Sequence, residues 1–561
     1  MAEIKGSPQL ATPEAGTDPK LLDTRTKLPA EADIITLSNG FFAESRDYGS
    51  ELKKVSEINE KYYLGDQTDR TKIKTNFSNA VENKIFEAVE TIVPIVTSKM
   101  AEFLALPAEE NEVSEKISDI IQKALSAHFR NLQMSKKMEI QVRRAIIHRF
   151  SVFKIFWNPS RGGDGEIDVS LPLPSKIRIP KFGMSVVELP FLIEDLSMTY
   201  EDMVDSFGKD KADLAIQQWS KGSDDQELKI EMKKVRVVNE IWTNTWHAYR
   251  IGNVILKSEL NPYWNTETTN NFLEEPSKPY VFLSPYRFKD TIVGDTSAIE
   301  QSIPPQDIIN VCLRTMFNHT KKMGNGTWLI DSTVMSEEEA RNKISNAAGL
   351  IVYGRGAADQ SKVRRDSPPA LPNNFHELLV QAERIMDNIW GTHSTTRGER
   401  GESDTLGAKQ LQKVADIGRQ DLLVREIEQC TAEIGNWIVQ LMKMFYDTEH
   451  SIPLVGEDMG VEFLKITKDD IKQNMKVIVK EGSTLPTDPQ TERAEALELF
   501  TAGALDPITL FKKLKLPNPE EVAQRLLLWK QGQLPQPVPE GVPMGLTPNQ
   551  GLPIAPPTGV V

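Results

Sequence analysis

Residues Leu406–Asp447 read as one uninterrupted helix, and a helix of that length restricts what the rest of the chain can be. Apolar residues recur along it at Leu411, Val414, Ile417, Leu422, Ile427, Ile434, Trp437, Ile438, Leu441 and Phe445. At 1.5 Å per residue it is about 60 Å long. A span of that size crosses an assembly rather than decorating a small domain. Its interior glycines, Gly407, Gly418 and Gly435, each cost about 1 kcal/mol against alanine. That cost is tolerable where another backbone packs close or the helix bends.

The stretch before this helix has a definite order. Pro304 and Pro305 are expected in the first turn of a helix. That helix runs to about Met323 and stops at Gly324-Asn325-Gly326. A compact module follows, with a strand over Thr327–Asp331, an acidic helix over Ser336–Asn346 and a strand over Gly349–Gly354. The return loop SKVRRDSPPALP carries Arg364 and Arg365 and leads into a helix over Asn373–Trp390. Between that helix and the long one lies a polar, glycine-containing loop, THSTTRGERGESDT, over residues 392–405.

The first half reads as mixed α+β. Residues 1 to about 35 are polar with little periodicity, a flexible arm. From Phe41 to about Leu106 the pattern is helical, with Pro94 expected to end or kink the segment through Ile85, Val89, Ile92, Val93 and Val96. Helices over Ile117–Leu132 and Lys137–Phe150 lead to a buried strand, SVFKIFW. Strand candidates then follow at IDVSLPL, KIRIP, PFLIEDL, VRVVNEIW and HAYRIGNVILK, with one helix over Thr199–Phe207 stopped by Gly208. The stretch YVFLSPYRFKDTIVGDTS reads as a linker. After the long helix come strands near Val461–Ile466 and Met475–Val479, then helices over Pro489–Thr501, Pro507–Leu514 and Pro519–Gln531. From Gln533 the tail is proline-rich and almost uncharged, a disordered or polyproline-like extension.

Composition narrows the function classes. A chain of 561 residues is too long for one ordinary core. The formal net charge of -14 does not suit tight binding of a nucleic-acid backbone over the whole surface, although such a chain can surround DNA without holding it. Two cysteines, Cys312 and Cys430, suggest neither a disulfide framework nor a zinc cluster, but two small buried residues. No apolar N-terminal segment marks a signal peptide, and no run of about 18 apolar residues marks a membrane span. The chain is expected to be soluble and intracellular.

The sequence of helix, small α/β insert, helix, polar loop and very long helix resembles the portal proteins of tailed bacteriophages. The stretch from Gly294 to Gln306-Asp-Ile-Ile-Asn310 is similar to that family's lead-in to its first stem helix. GERGESDTLGAKQLQKVADIGRQDLL is similar to its passage from tunnel loop to long helix, with Asp404-Thr405-Leu406-Gly407 replacing Ala-Thr-x-Gly. ERAEALELFTAGALDPITLFKKLKLPNPEEVAQRLL resembles its crown. The resemblance covers roughly residues 41 to 530.

It implies a mixed α+β, predominantly α-helical portal fold. Its parts would be an arm (1–40), a wing (41–290), a first stem helix (291–323), a clip (324–371) and a second stem helix (372–391). A tunnel loop (392–405), a spine helix (406–447), further wing strands (448–486), crown helices (487–532) and a disordered tail (533–561) complete it. It also implies a dodecameric ring at one vertex of the virion capsid, assembled in the host cytoplasm, for genome packaging, retention and ejection. The implied partners are the terminase large subunit, the major capsid and scaffolding proteins, head-completion or tail adaptor proteins, and double-stranded DNA passing without sequence specificity. No membrane and no cofactor are implied.

Candidate DNA contacts are Arg397, Arg400 and Lys409, together with Lys321 and Lys322 at the end of the first stem helix, where cations also favour the helix dipole. Arg364 and Arg365 are candidates for docking acidic partner surfaces. No catalytic or metal-binding residues are expected. There is no G-x-x-x-x-G-K-[ST] for a nucleoside triphosphate, and Gly324-Asn-Gly and Gly354-Arg-Gly read as turns. His376-Glu377 begins like a zinc-protease motif, but position 380 is Val. Two competitors stand beside the portal reading. One is a metal-dependent nuclease using Glu399, Glu402 and Asp404. The other is a helical scaffold or adaptor without a DNA channel.

Overall fold

The computed structural model describes residues 27–68, 78–99, 101–107, 112–161, 165–218, 234–264, 273, 275–324, 327–343, 351–355, 363–366, 371–372, 374–392, 406–447, 450–455, 461–467, 471, 476–480, 489–514 and 519–530. Its contacts divide the chain into two compact units, Met1–Pro486 and Thr487–Val561.

The first unit opens with α1 (Glu31–Tyr63), α2 (Lys84–Val96), β1 (Phe103–Leu106), α3 (Glu112–Asn131) and α4 (Met134–His148). Helix α1 starts inside the stretch that reads as a polar arm. Its buried face is built from Ile34, Ser38, Ser45, Leu52, Ser56 and Asn59, so small polar residues hide the hydrophobic period. Pro94 stays inside α2, which ends two residues later.

Strands β2 (Ser151–Asn158), β3 (Glu166–Ser170), β4 (Ile177–Arg178) and β5 (Leu192–Met198) follow. Next come α5 (Tyr200–Phe207), α6 (Lys209–Gln217), β6 (Arg236–Trp242), β7 (Trp246–Ile251), β8 (Val254–Leu260) and β9 (Tyr280–Leu283). Thr199 and Asp202 form a reciprocal capping box at α5, and Gly208 closes it.

Three sequence expectations fail here, the first being that this stretch holds one helix, where α6 follows α5 directly after Gly208. HAYRIGNVILK is not one strand but the hairpin β7–β8, turned at Gly252 with φ of 57°. YVFL is not linker but the wholly buried strand β9, paired antiparallel with β2. The strands form a three-stranded sheet, β3-β2-β9, and a five-stranded sheet, β4-β5-β6-β7-β8.

The remaining elements of this unit are α7 (Ala298–Gly324), β10 (Thr327–Asp331), α8 (Glu337–Lys343), β11 (Ile351–Gly354), β12 (Val363–Asp366), α9 (Asn374–Trp390) and α10 (Leu406–Phe445). Strands β13 (His450–Val455), β14 (Val461–Ile466) and β15 (Lys476–Val479) end it. One apolar cluster joins α2, α3, α4, the β2 sheet and the C-terminal half of α10.

Helix α10 has 40 residues, about 60 Å by its rise. At Gly435 an added Cβ would lie 3.0 Å from the Phe103 ring and 3.2 Å from Val477, because β1 and β15 pair against the helix there. Asn436 brackets the same strand, accepting from Val477 N–H and donating to its carbonyl. Gly418 has nothing within 4 Å, and its cost to the helix has no packing reason. Both cysteines are buried and free.

The second unit contains α11 (Pro489–Thr501), α12 (Pro507–Lys513) and α13 (Pro519–Lys530). Asp506 caps α12 by accepting from Ile508 and Thr509 N–H. The tail from Gln533 lies outside the described residues.

Candidate functional site

The region to which the sequence points is α7, the module β10–β12 and α9. Helix α7 begins six residues before Pro304, not at it. Ser297 accepts from Glu300 N–H and starts the helix, so both prolines sit in its interior. Each removes one helical donor there.

Two contacts fix this start. Glu300 meets the Arg149 guanidinium with both carboxylate oxygens at 2.6 Å, a forked ion pair. Gly294 presses on the Arg149 carbonyl, where a Cβ would come within 2.5 Å of the oxygen. Arg149 itself is left-handed, with φ of 73°, at the end of α4. The glycine that carried part of the family resemblance is therefore required by close backbone approach.

Gln306 and Asn310, which carried the rest of that match, are buried amides. Gln306 accepts from Lys84 N–H at 3.1 Å and donates to the Glu82 carbonyl at 2.6 Å. Asn310 accepts from Glu82 N–H at 3.2 Å and donates to Gln67 at 2.7 Å. Beside them Tyr62 donates to Asp307 at 2.8 Å. Burial, and then that hydrogen bond, push the Tyr62 phenol up to about 12.

The module between the helices is a sheet in the order β11-β10-β12, with β10 and β11 parallel. Its first and last residues, Thr327 and Asp366, are paired. The chain therefore leaves α7 and heads for α9 from one end of the module. Because α9 also packs along α7, the two helices form a hairpin with the module at its tip.

Lys321 and Lys322 are exposed in the last turn of α7, at that tip. Arg364 and Arg365 are not in a loop. They belong to strand β12, opposite Leu329 and Trp328. The sequence hid this strand because VRRD has one apolar residue and a two-proline sequel. Lys409 lies in the first turn of α10. Arg397 and Arg400, with Glu399, Glu402 and Asp404, lie outside the described residues. Among the described residues no group of three or more His, Cys, Asp or Glu is placed to hold a metal ion, and no helix is long and apolar enough to cross a membrane.

Sequence reasoning missed a feature of α9. The helix buries Ala382, Met386 and Trp390 against its own chain. Leu378, Ile385 and Ile389 form a second apolar stripe, at least 36% exposed. On α7, Ile308 and Val311 are likewise exposed one turn apart. The signal was present, since Leu378, Ile385 and Ile389 follow the 7 and 4 spacing of one helix face.

Compared with known proteins, the chain matches the sequence model of the phage P22-like portal protein family over residues 191–553, well over half its length. It is also similar to a solved chain from the virion of native gene transfer agent (GTA) particle. That likeness has 10% identity and a TM-score of 0.35, covering 77% of this chain and 89% of that one. It is too loose to carry a functional argument. No curated protein sequence matches.

Proposed function

The chain belongs to the phage P22-like portal protein family, and we propose on that footing that it is one subunit of a closed ring at a single vertex of the viral head. In this reading α7 and α9 are the stem, β10–β12 with α8 are the clip, and α10 is the spine. The loop 392–405 projects into the channel as the tunnel loop. The ring conducts double-stranded DNA during packaging, retains it and releases it at ejection. The terminase motor, and later the tail adaptors, dock on the clip. The subunit number is twelve, as in the family at large.

The observation that carries the ring is the second apolar stripe of α9. Leu378, Ile385 and Ile389 lie beside a face already packed on their own chain, and Ile308 and Val311 lie exposed on the adjoining helix. Apolar residues gathered in this way mark a contact surface. A head-to-tail ring supplies a different neighbour surface to each of two faces, which suits stripes on two helices.

Conduction is passive. Lys321, Lys322, Arg397, Arg400 and Lys409 meet passing phosphates, and at the tunnel loop the acids Glu399, Glu402 and Asp404 offset Arg397, Arg400 and Lys409. Ring symmetry repeats each charge around the axis. Near-balance keeps the number of persistent phosphate contacts low, and each such contact would add a counterion-release term to the affinity. Arg364 and Arg365 present cations to acidic docking partners.

Class averages of the purified protein by electron microscopy test this reading. Rings with an axial hole are expected. Changing Leu378, Ile385 and Ile389 together to Ser should leave the helix content of the protomer intact and shift light scattering toward monomer. A wild-type protein that stays monomeric at micromolar concentration would overturn the proposal.

A further inference from the structure

Helix α7 carries four polar residues at strict four-residue spacing, Gln306, Asn310, Arg314 and Asn318. Opposite them runs the segment Ser78–Lys84, which joins the end of the α1 region to α2. Each member of the row bonds main-chain atoms, and the partners fall at every second residue. Asn318 accepts from Ser78 N–H at 2.7 Å. Arg314 donates to the Ala80 carbonyl at 3.2 Å. Asn310 accepts from Glu82 N–H, and Gln306 bonds the Glu82 carbonyl and Lys84 N–H. As the helix number rises by four, the segment number falls by two.

The match has a geometric cause. Four helical residues rise about 6 Å. Two extended residues rise about 6.6 Å. A polar row on a helix can therefore follow an extended chain over several steps and hold its backbone as a neighbouring strand would. On α7 the seat is made with the segment's main chain, while the Asn83 side chain donates to the Tyr63 carbonyl at 2.8 Å and accepts from Gln67 at 2.9 Å. None of residues 78–84 is buried, so apolar burial contributes little to holding the segment down. Gln306 and Asn310 lie fully buried beneath it. If the segment lifts, what is uncovered is polar and water can replace its partners.

We infer that Ser78–Lys84 is a releasable strap, seated on a main-chain-reading row of α7, which opens as one unit below global unfolding. Release frees the start of α2 from α7 and leaves the Arg149–Glu300 joint closed. The inference concerns the protomer and holds whether or not the ring reading does.

Amide exchange at single-residue resolution on the full-length protein tests it. The Ser78 and Glu82 amides should exchange roughly ten-fold or more slowly than those of Asn79 and Val81, which the row does not hold. They should share one opening rate, faster than that of Val152 and Ile155 in β2. In Asn310→Leu, protection at Ser78 should fall together with that at Glu82 while β2 is unchanged. Glu82→Pro should abolish protection at Ser78, whereas Val81→Pro, which removes no row contact, should keep it. Equal exchange across 78–82, or exchange of Ser78 only with global unfolding, would overturn the strap. Protection at Ser78 that survives Glu82→Pro would overturn its opening as a unit.

Discussion

In the two facing sheets, charged side chains lie buried; along α7 and α9, apolar side chains lie exposed. Glu194 on β5 and Glu240 on β6 are direct cross-strand neighbours, 6% and 1% exposed, an arrangement that like charges alone would oppose. Lys154 reaches across from β2 in the other sheet and bonds both, at 3.1 Å to Glu194. Glu240 also accepts from Trp242 at 2.9 Å and from Tyr249 at 3.2 Å, and it lies 3.2 Å from His247. Tyr280 donates to Glu194 at 2.8 Å. Burial raises the Glu240 carboxyl, but Lys154 and His247 outweigh it and hold it well below the usual carboxylate range. This cluster satisfies its buried carboxylates within one chain. The helix hairpin leaves Leu378, Ile385 and Ile389 exposed, and in the proposed ring a neighbouring subunit covers them. A self-contained body bearing an incomplete hairpin is what a ring subunit needs, since the body can fold before the ring closes.

Three perturbations of protomer stability can break that contrast, beginning with the largest. Lys154→Met leaves two facing buried carboxylates without their cation, and we expect a loss of about 3–5 kcal/mol in denaturant unfolding. A loss as small as that of a surface change would mean that the sheets are not joined through this cluster.

Acid should act next, and on the body. His128, in contact with the Tyr446 hydroxyl at 3.0 Å and near His450, is held at about 4 by burial and then by His450. His148, near Glu60 and Arg144, is held at about 4 by burial and then by Arg144. Both folded values lie below the unfolded value of about 6.5, so between those limits the unfolded chain binds more protons. Stability is therefore complete above pH 6.5 and falls as pH drops toward 4, by roughly 3 kcal/mol at most for each histidine. Glu259, held at about 2 by its hydrogen bond from His247 against burial, acts later. Its contribution is lost only as pH falls from the usual carboxylate value through 2. A pH series of urea midpoints should show a first decline between 6.5 and 4 that shrinks in His128→Phe. An unchanged first decline would remove His128 from that account. A third change, Gly294→Ala, tests the joint between body and hairpin. It forces a Cβ against the Arg149 carbonyl, and about 1–3 kcal/mol should be lost.

Much of this architecture was legible in the sequence because it rests on local signals. The long helix, the α5 helix with its stop at Gly208, and the strand VRVVNEIW are each written in a few adjacent residues. What escaped depends on partners distant in sequence. The strand YVFL is recognisable only once β2 is beside it, and β12 pairs with β10 despite two arginines. The start of α1 meets the sheet through Ile34 and Phe41, with Ser38 and Ser45 buried among them, so its hydrophobic period is broken. The Pro304–Pro305 pair misled because it is well suited to a first turn, while Ser297 supplied the actual start. Gln306 and Asn310 were noticed through resemblance, but their work on the backbone of residues 82–84 could not be read from one segment alone. For Arg397 and Arg400 the sequence still carries the whole argument.

The smallest expected change in protomer stability comes from those two arginines, and it separates the hairpin's task from the body's. The loop 392–405 is polar and joins two helices that stand without it, α9 by packing on α7 and α10 by packing on β15. Changing Arg397 and Arg400 together to Glu removes no apolar burial, so unfolding should shift by no more than about 0.5 kcal/mol. In a ring, however, each change is repeated by every subunit, and a balanced collar becomes strongly negative. Phosphates in transit would then meet repulsion rather than neutrality. The measured outcome should be less DNA packaged per head, or DNA lost from filled heads, with ring particles unchanged in class averages. The nuclease alternative predicts a different result, in which Glu402→Ala and Asp404→Ala abolish a cleavage that depends on divalent metal. Normal packaging and retention by intact rings of the arginine double variant would take the loop out of DNA handling and leave it as a connector between α9 and α10.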